Sequence, residues 1–155
     1  MALAALFFFQ LFSLRMEVIA YQSHEYFEML ALRYKILRQP LGLNFSEADL
    51  QQEKDDVFIA CCQNGSIAGC CILTRLSDEV VKFRQMAVDD HCQGKNVGKN
   101  ILQFSERYAA EQGYTVVKLH ARKTACMFYA KNGYIAAGDE FIEVGIPHVY
   151  MEKNL

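Results

Sequence analysis

The 155-residue chain carries no surplus of either charge: 16 Lys and Arg stand against 18 Asp and Glu, for a formal net charge of −2. That balance excludes a general electrostatic hold on nucleic acid, and no long acidic tail offers itself to a basic partner. No apolar run reaches the ~20 residues that a bilayer-crossing helix needs, so no membrane partner is expected. The nearest, "MALAALFFFQLFSL" at the N-terminus, also lacks the positive segment that opens a signal peptide. No C-x-x-C occurs among the six cysteines, so the usual zinc spacing is missing and no metal is expected. No internal repeat, linker or low-complexity segment interrupts the chain.

What is present is a chain 52% hydrophobic and 22% charged, long enough for one domain with a sizeable core. Met16 reads as the natural start, which leaves residues 1–15 as an apolar extension and 16–155 as the domain. Cleavage after Val18-Ile19-Ala20 would instead remove most of a first strand. "CCQNGSIAGCC" (61–71) reads as a hairpin about Asn64-Gly65. In that register Cys62 faces Ile67, Cys61 faces Ala68, Cys70 faces Ile59 and Cys71 faces Phe58. Cys61 and Cys70 meet only as diagonal neighbours, at roughly 7–8 Å, which is long for a disulfide. Reduced thiols packed as small hydrophobes follow, and with them a reducing, cytoplasmic setting.

"EVIAYQS" (17–23) predicts the first strand, with Ser23 as N-cap of the next helix. There Phe27, Leu30, Ala31 and Tyr34 recur at i, i+3, i+4, i+7 and predict the apolar stripe. That helix should stop before Pro40. The polar connector 40–56 holds a short helix from Ser46. Strands follow at "VFIACC", "SIAGCCILTRL" and "EVVKFRQMAV" (79–88). After "DDHCQGKNVGKN" comes a strong helix on which Val97, Ile101, Phe104, Ser105 and Tyr108 repeat, closed by Gly113. "YTVVKLHA" is a strand and "TACMFYAKN" a short helix ending at Gly133. "YIAAGDEFIE" and "PHVYMEK" are final strands about Gly145. The order, β-α-(α)-β-β-β-α-β-α-β-β, predicts an α/β (α+β) fold: a mixed sheet covered by helices, its central β-α-β parallel and right-handed.

"HCQGKNVGKN" (91–100) looks at first like a nucleotide cradle. A P-loop requires G-x-x-x-x-G-K-[ST], but Gly94 and Gly98 enclose one residue too few, and Asn100 offers no hydroxyl to magnesium. The dinucleotide fingerprint G-x-G-x-x-G fails as well. A strand nevertheless leads through glycines into a helix N-terminus, where free N–H groups and the helix dipole favour an anion. A tight turn with glycines for geometry alone is the plain alternative.

The run "RQMAVDDHCQGKNVGKNILQFSERYAAEQGY" resembles motif A of the GNAT superfamily of acyl-CoA-dependent N-acyltransferases, whose loop is Q/R-x-x-G-x-G/A. Gln93 and Gly98 match its ends, Gly94 and Lys95 fit common usage, and Asn96 replaces the middle glycine. "ACMFYAKNGY" (125–134) is similar to the family's A-x-x-F-Y-x-K-x-G-F/Y, although Arg122 stands where an Asn is frequent. "FIEVGIPHVYMEK" (141–153) and "RYKILRQPLG" (33–42) resemble the ElaA-like branch. The likeness runs in order over residues 17–153.

The resemblance implies a GNAT fold: a mixed central sheet of six to seven strands, splayed between the fourth and fifth, flanked by four helices. It implies acetyl-CoA as co-substrate, with the pyrophosphate on backbone N–H groups from Gln93 through Gly94, Lys95, Asn96, Val97 and Gly98, and Lys99 adding charge. Met86, Ala87 and Val88 would pair with the pantetheine arm, and an N–H at Ala87 or Met86 would polarise the thioester carbonyl. The acceptor, an amine of a small molecule or peptide, would attack directly. Tyr129 becomes the acid for the leaving thiolate, beside the coenzyme. His148, after the "GIPH" turn, and Glu143 become candidates for the base, since imidazole suits proton transfer near neutrality. Arg84, Gln85, His120 and Arg122 fall on the acceptor side. A non-catalytic acyl-CoA-binding module on the same fold is the alternative, and a homodimer is left open.

Overall fold

The computed structural model describes residues 14–155; the apolar extension expected at the N-terminus falls, but for its last residues, outside them. In chain order it contains β1 (Arg15–Ile19), α1 (His24–Arg33), α2 (Glu47–Gln52), β2 (Val57–Gln63), β3 (Ser66–Arg75) and β4 (Val80–Val88). Then come α3 (Val97–Glu111), β5 (Val116–Arg122), α4 (Cys126–Lys131), β6 (Ile135–Glu143) and β7 (Ile146–Asn154). The expected order holds throughout. The strands form one seven-stranded sheet in the order β1-β2-β3-β4-β5-β7-β6. β4 and β5, joined through α3, are parallel, whereas β1/β2, β5/β7 and β6/β7 are antiparallel. β4 pairs with β5 through Val80–Lys82 against Val116–Lys118, and both strands continue beyond the paired stretch, to Val88 and Arg122.

The chain divides into two compact units. The first takes the residues up to Ile72 together with Gln85–Phe104. Its core gathers Tyr26, Met29 and Leu32 of α1 with Phe58, Ile72 and Ala87. Local chemistry starts each helix here. The Ser23 hydroxyl accepts from the Tyr26 N–H at 3.2 Å. Ser46 and Asp49 form a reciprocal capping box, with Ser46 N–H to Asp49 Oδ2 at 2.9 Å and Asp49 N–H to Ser46 Oγ at 3.1 Å. Asn64 and Gly65 turn β2 into β3 with φ of 52° and 77°, the left-handed pair that matches strand twist.

One expectation fails. The apolar stripe read from Phe27, Leu30, Ala31 and Tyr34 is not the buried one: Phe27 is 55% exposed, while Tyr26, Met29, Leu32 and Arg33 are buried. The helix is turned by about one residue, roughly 100°. Tyr26 packs edge-on against Phe58 at 5.1 Å and donates its hydroxyl to buried Glu53 at 2.8 Å. A polar anchor on the inner face thus outweighs the phenyl ring. Helical turns also continue past Arg33 as a π turn to Arg38 and a 3₁₀ turn, Gln39–Leu41, closed at Gly42. Pro40 is accommodated in that last turn because its missing N–H would have no partner there.

The second unit takes Leu73–Arg84 and Ser105–Leu155. Val117, Leu119 and Ala121 of β5 and Met151 of β7 are buried on one face. The Tyr129 ring lies edge-on to Phe83 at 6.4 Å and to Tyr134 at 5.7 Å. Lys153 Nζ reaches Glu106 Oε2 at 3.0 Å and the Asn132 carbonyl at 2.9 Å, tying β7 to α3 and to the end of α4. No helix among the described residues is long and apolar enough to cross a membrane.

Candidate functional site

In the first unit, the glycine loop is built from β4's exit to α3's first turn. Asp89 opens a 3₁₀ turn, Asp90–Cys92, by accepting from the His91 N–H at 3.1 Å. That bond, with help from Lys35 at 3.3 Å, holds the Asp89 carboxyl below its ordinary value. Gln93 folds back, its Nε2 donating to the Val88 carbonyl at 3.1 Å. Gly94 and Asn96 then adopt φ of 75° and 63°. Asn96 therefore takes the left-handed backbone that the replaced glycine would supply, as Asn tolerates best. The Asn100 N–H is bonded to the Asn96 carbonyl at 3.0 Å. The N–H groups of Val97, Gly98 and Lys99 precede that ladder and lie at the positive end of a 15-residue helix. Lys95 and Lys99 are exposed, whereas Val97 is buried. This arrangement fits a pyrophosphate held by main chain.

Gly69 of β3 sets how closely α3 lies on the sheet. A Cβ there would stand 2.7 Å from Ile101 Cδ1, 3.0 Å from Val97 Cγ1 and 3.1 Å from the Ala87 carbonyl oxygen. Met86, Ala87 and Val88 follow Gln85, whose φ of 56° breaks the strand's regularity. The Gln85 side chain accepts from Arg33 Nε at 3.3 Å. Arg33 in turn grips Glu53 with two bonds of 2.9 Å, and both residues are 1–2% exposed. The Arg33 guanidinium also lies 4.8 Å from the Phe45 ring centre. Burial, then the Glu53 bond, pushes the Tyr26 hydroxyl far above an ordinary tyrosine. The sequence offered no sign of this Tyr26–Glu53–Arg33–Gln85 chain, because its members are far apart in sequence.

In the second unit, strand alternation sorts the other candidates. Val117, Leu119 and Ala121 face the core, so Lys118, His120 and Arg122 line the opposite face of β5. β7 brings Tyr150 opposite His120 and His148 opposite Arg122, and β6 brings Phe141 opposite His148. Glu143 bridges the two imidazoles: His120 Nδ1 is 2.9 Å from Oε1, and His148 Nε2 is 3.6 Å from Oε2. His148 is buried, and its Nδ1 donates to the Ile146 carbonyl at 2.8 Å. The His120 ring meets Tyr150 at 4.6 Å and Phe141 at 5.1 Å, both edge-on. Burial pushes the Glu143 carboxyl up, but the His120 bond and the charges of His120, His148 and Lys82 outweigh it and leave the group below its ordinary value.

Sequence reading thus named His120, Arg122, Glu143 and His148 separately, and the antiparallel register of β5, β7 and β6 brings them together. Arg84 lies on the matching face of β4, with Nε donating to Thr74 Oγ1 at 2.8 Å. Tyr129 is not in this group. It is 7% exposed and packs with Phe83, Phe128 and Tyr134, on the face of β4 opposite to Arg84. Gln85, expected to line the acceptor side, has its side chain on Arg33. Lys82 was missed, although the alternation in "VVKFR" shows that it shares Arg84's face. Among the described residues, no group of three or more His, Cys, Asp or Glu is arranged to hold a metal ion.

The acetyltransferase (GNAT) domain family matches residues 21–155. A candidate acetyltransferase of Bacillus subtilis strain 168 is 32% identical over 115 residues, 74% of this chain and 77% of that protein. Among solved structures, Escherichia coli ElaA superposes with a TM-score of 0.78 at 17% identity, covering 91% of this chain and 99% of that one. A GNAT acetyltransferase from Elizabethkingia anophelis with acetyl-CoA bound superposes with a TM-score of 0.71 at 16% identity, covering 92% and 98%. With a parallel β4/β5 pair, a loop opening on α3 and a family match over most of its length, the chain belongs to the GNAT acetyltransferases and is an acyltransferase.

Proposed function

We propose that the enzyme moves the acetyl group of acetyl-CoA onto a primary amine of a small molecule or peptide by direct attack. One observation supports the coenzyme reading: the loop at Gly94 and Asn96, both left-handed, opens directly on the N-terminus of a 15-residue helix, whose leading N–H groups precede its own ladder. When bound, acetyl-CoA supplies the thioester carbonyl that is attacked and the thiolate that leaves. The N–H groups of Val97, Gly98 and Lys99 hold the pyrophosphate, with Lys95 and Lys99 as added charge. The backbone of Met86–Val88, after the irregularity at Gln85, holds the pantetheine arm, and an N–H at Ala87 or Met86 stabilises the developing oxyanion.

The imidazole geometry supports His120, rather than His148 or Glu143, as the base. With Glu143 ionised, His120 Nδ1 carries the proton it shares with Oε1, which leaves the Nε2 lone pair to take a proton from the acceptor amine. Glu143 then steadies the imidazolium that forms, as a carboxylate does behind any histidine base. His148 has its Nδ1–H spent on Ile146 and its ring buried, with Nε2 3.6 Å from the other oxygen of Glu143. Tyr129 gives a proton to the leaving thiolate.

An amine panel assayed for coenzyme A thiol release tests the proposal. Release with at least one amine, lowered about 10²–10⁴-fold in Tyr129→Phe with acetyl-CoA affinity kept, supports it. Tight acetyl-CoA binding with no release from any amine favours the non-catalytic binding module.

A further inference from the structure

The face that carries His120 and Glu143 is basic in a chain whose net charge is −2. β4 buries Val81 and Phe83 and turns Lys82 and Arg84 to the other side. The register Lys82↔Lys118 puts this side level with Lys118, His120 and Arg122 of β5. β7 adds His148 and, beside Lys118, Glu152. By register this face carries four permanent cations, Lys82, Arg84, Lys118 and Arg122, together with the carboxylates of Glu143 and Glu152 and the two histidines.

Lys82 is the informative member. It is half-buried, yet among the described residues it has no hydrogen-bond or ion-pair partner. Burial, the larger effect, pushes its ammonium below the ordinary lysine value; Glu143 acts the other way and Arg84 adds to the fall. An ammonium withdrawn from water without a close counter-ion costs free energy. Charged groups perturbed in this way cluster at functional sites.

The acceptor adds a constraint. A primary amine is itself cationic until it loses a proton, and a basic face repels it. An amine that also carries an anionic oxygen group resolves the conflict. Its anion pairs with Lys82, while the field of the same cations favours the neutral, nucleophilic form of its amine. We infer that the acceptor is a small amine bearing a carboxylate or phosphate, recognised through Lys82 on the β4 face shared with Arg84. The inference rests on the transferase reading above.

Matched acceptors test it with purified enzyme and acetyl-CoA: an α-amino acid against its amide, and an aminoalkyl phosphate against the aminoalkanol. The expected result is a kcat/KM about tenfold or more higher for one anionic member than for its neutral partner, as a charge-assisted bond supplies; which pair shows it tells carboxylate from phosphate. Lys82→Met should reduce that ratio to less than about threefold while leaving the KM for acetyl-CoA unchanged. Lys82→Arg should retain most of it. Neutral amines used as well as anionic ones by the wild-type enzyme would overturn the inference, and so would equal losses on both in Lys82→Met. Thiol release from no amine at all would instead sink the transferase reading, and the inference with it.

Discussion

Arg33→Met should be the most damaging single change in the first unit. Arg33 and Glu53 are 1–2% exposed and joined by two hydrogen bonds of 2.9 Å. Removing the guanidinium leaves a carboxylate buried without its counter-charge, which costs about 3–5 kcal/mol. It also strips Gln85 of its donor at 3.3 Å and leaves Arg38 alone over the Phe45 ring, at 4.9 Å. Against a total stability of ~5–15 kcal/mol, the loss is a third or more for many domains. Glu53→Met should cost as much, since it strands the guanidinium and takes the acceptor from the Tyr26 hydroxyl. The double variant is the informative one. Two apolar side chains of similar volume replace the ion pair at little net cost, while the Tyr26 hydroxyl loses its acceptor, about 1–3 kcal/mol. The double variant should therefore be more stable than either single one. Urea denaturation followed by far-UV circular dichroism measures all four chains; tryptophan fluorescence is not an option, since the chain has no Trp. Additive losses in the double variant, or an Arg33→Met loss below about 1.5 kcal/mol, would refute the reasoning that this pair is a coupled buried ion pair.

Gly69→Ala should press on Ile101, Val97 and the Ala87 carbonyl, cost about 1–3 kcal/mol, and raise the KM for acetyl-CoA by shifting the first turn of α3; melting and steady-state kinetics read the two effects. Val144 holds φ of 48° beside Gly145 at the β6–β7 turn, a strained place for a β-branched residue, so Val144→Asn should stabilise the fold by about 1 kcal/mol in urea titration. Glu143 is held below its ordinary value of 4.5, so its contribution is complete above that pH and is lost as pH falls through the lowered value. Glu143→Gln should flatten the fall of the urea midpoint from pH 5 to 3, by a small amount because the carboxylate is partly exposed. Burial pushes the Cys61 thiol up to about 11 and Cys70 to about 12, so a thiol titration at pH 8 should find the partly exposed Cys62, Cys92 and Cys126 reacting first, and all six only in denaturant.

Most of the fold could be read in the sequence because the signals lie within a few residues of one another. Ser23 and Ser46 cap helices, Asn64-Gly65 turns a hairpin, and Asn96 sits where a left-handed backbone is needed. The failed stripe on α1 shows the limit of such rules. Apolar spacing alone favoured the side with Phe27, but Tyr26 and Arg33 are drawn inward by Glu53, 27 and 20 residues away. A buried carboxylate leaves no local trace in the polar connector that carries it.

The sequence by itself determined the element order, the loop that opens α3 and the residue types available for proton transfer, since each depends on contacts spanning one or two turns of chain. Tertiary structure decided which of those residues meet. His120 and Glu143 stand 2.9 Å apart only because β7 lies between β5 and β6 in one register, and Lys82 joins their face only because it lies level with Lys118. A one-residue slip of either pairing would turn these side chains to the opposite face. Register is set by burial of Val117, Leu119, Ala121 and Met151 across the whole sheet, a collective quantity that no short stretch of sequence contains.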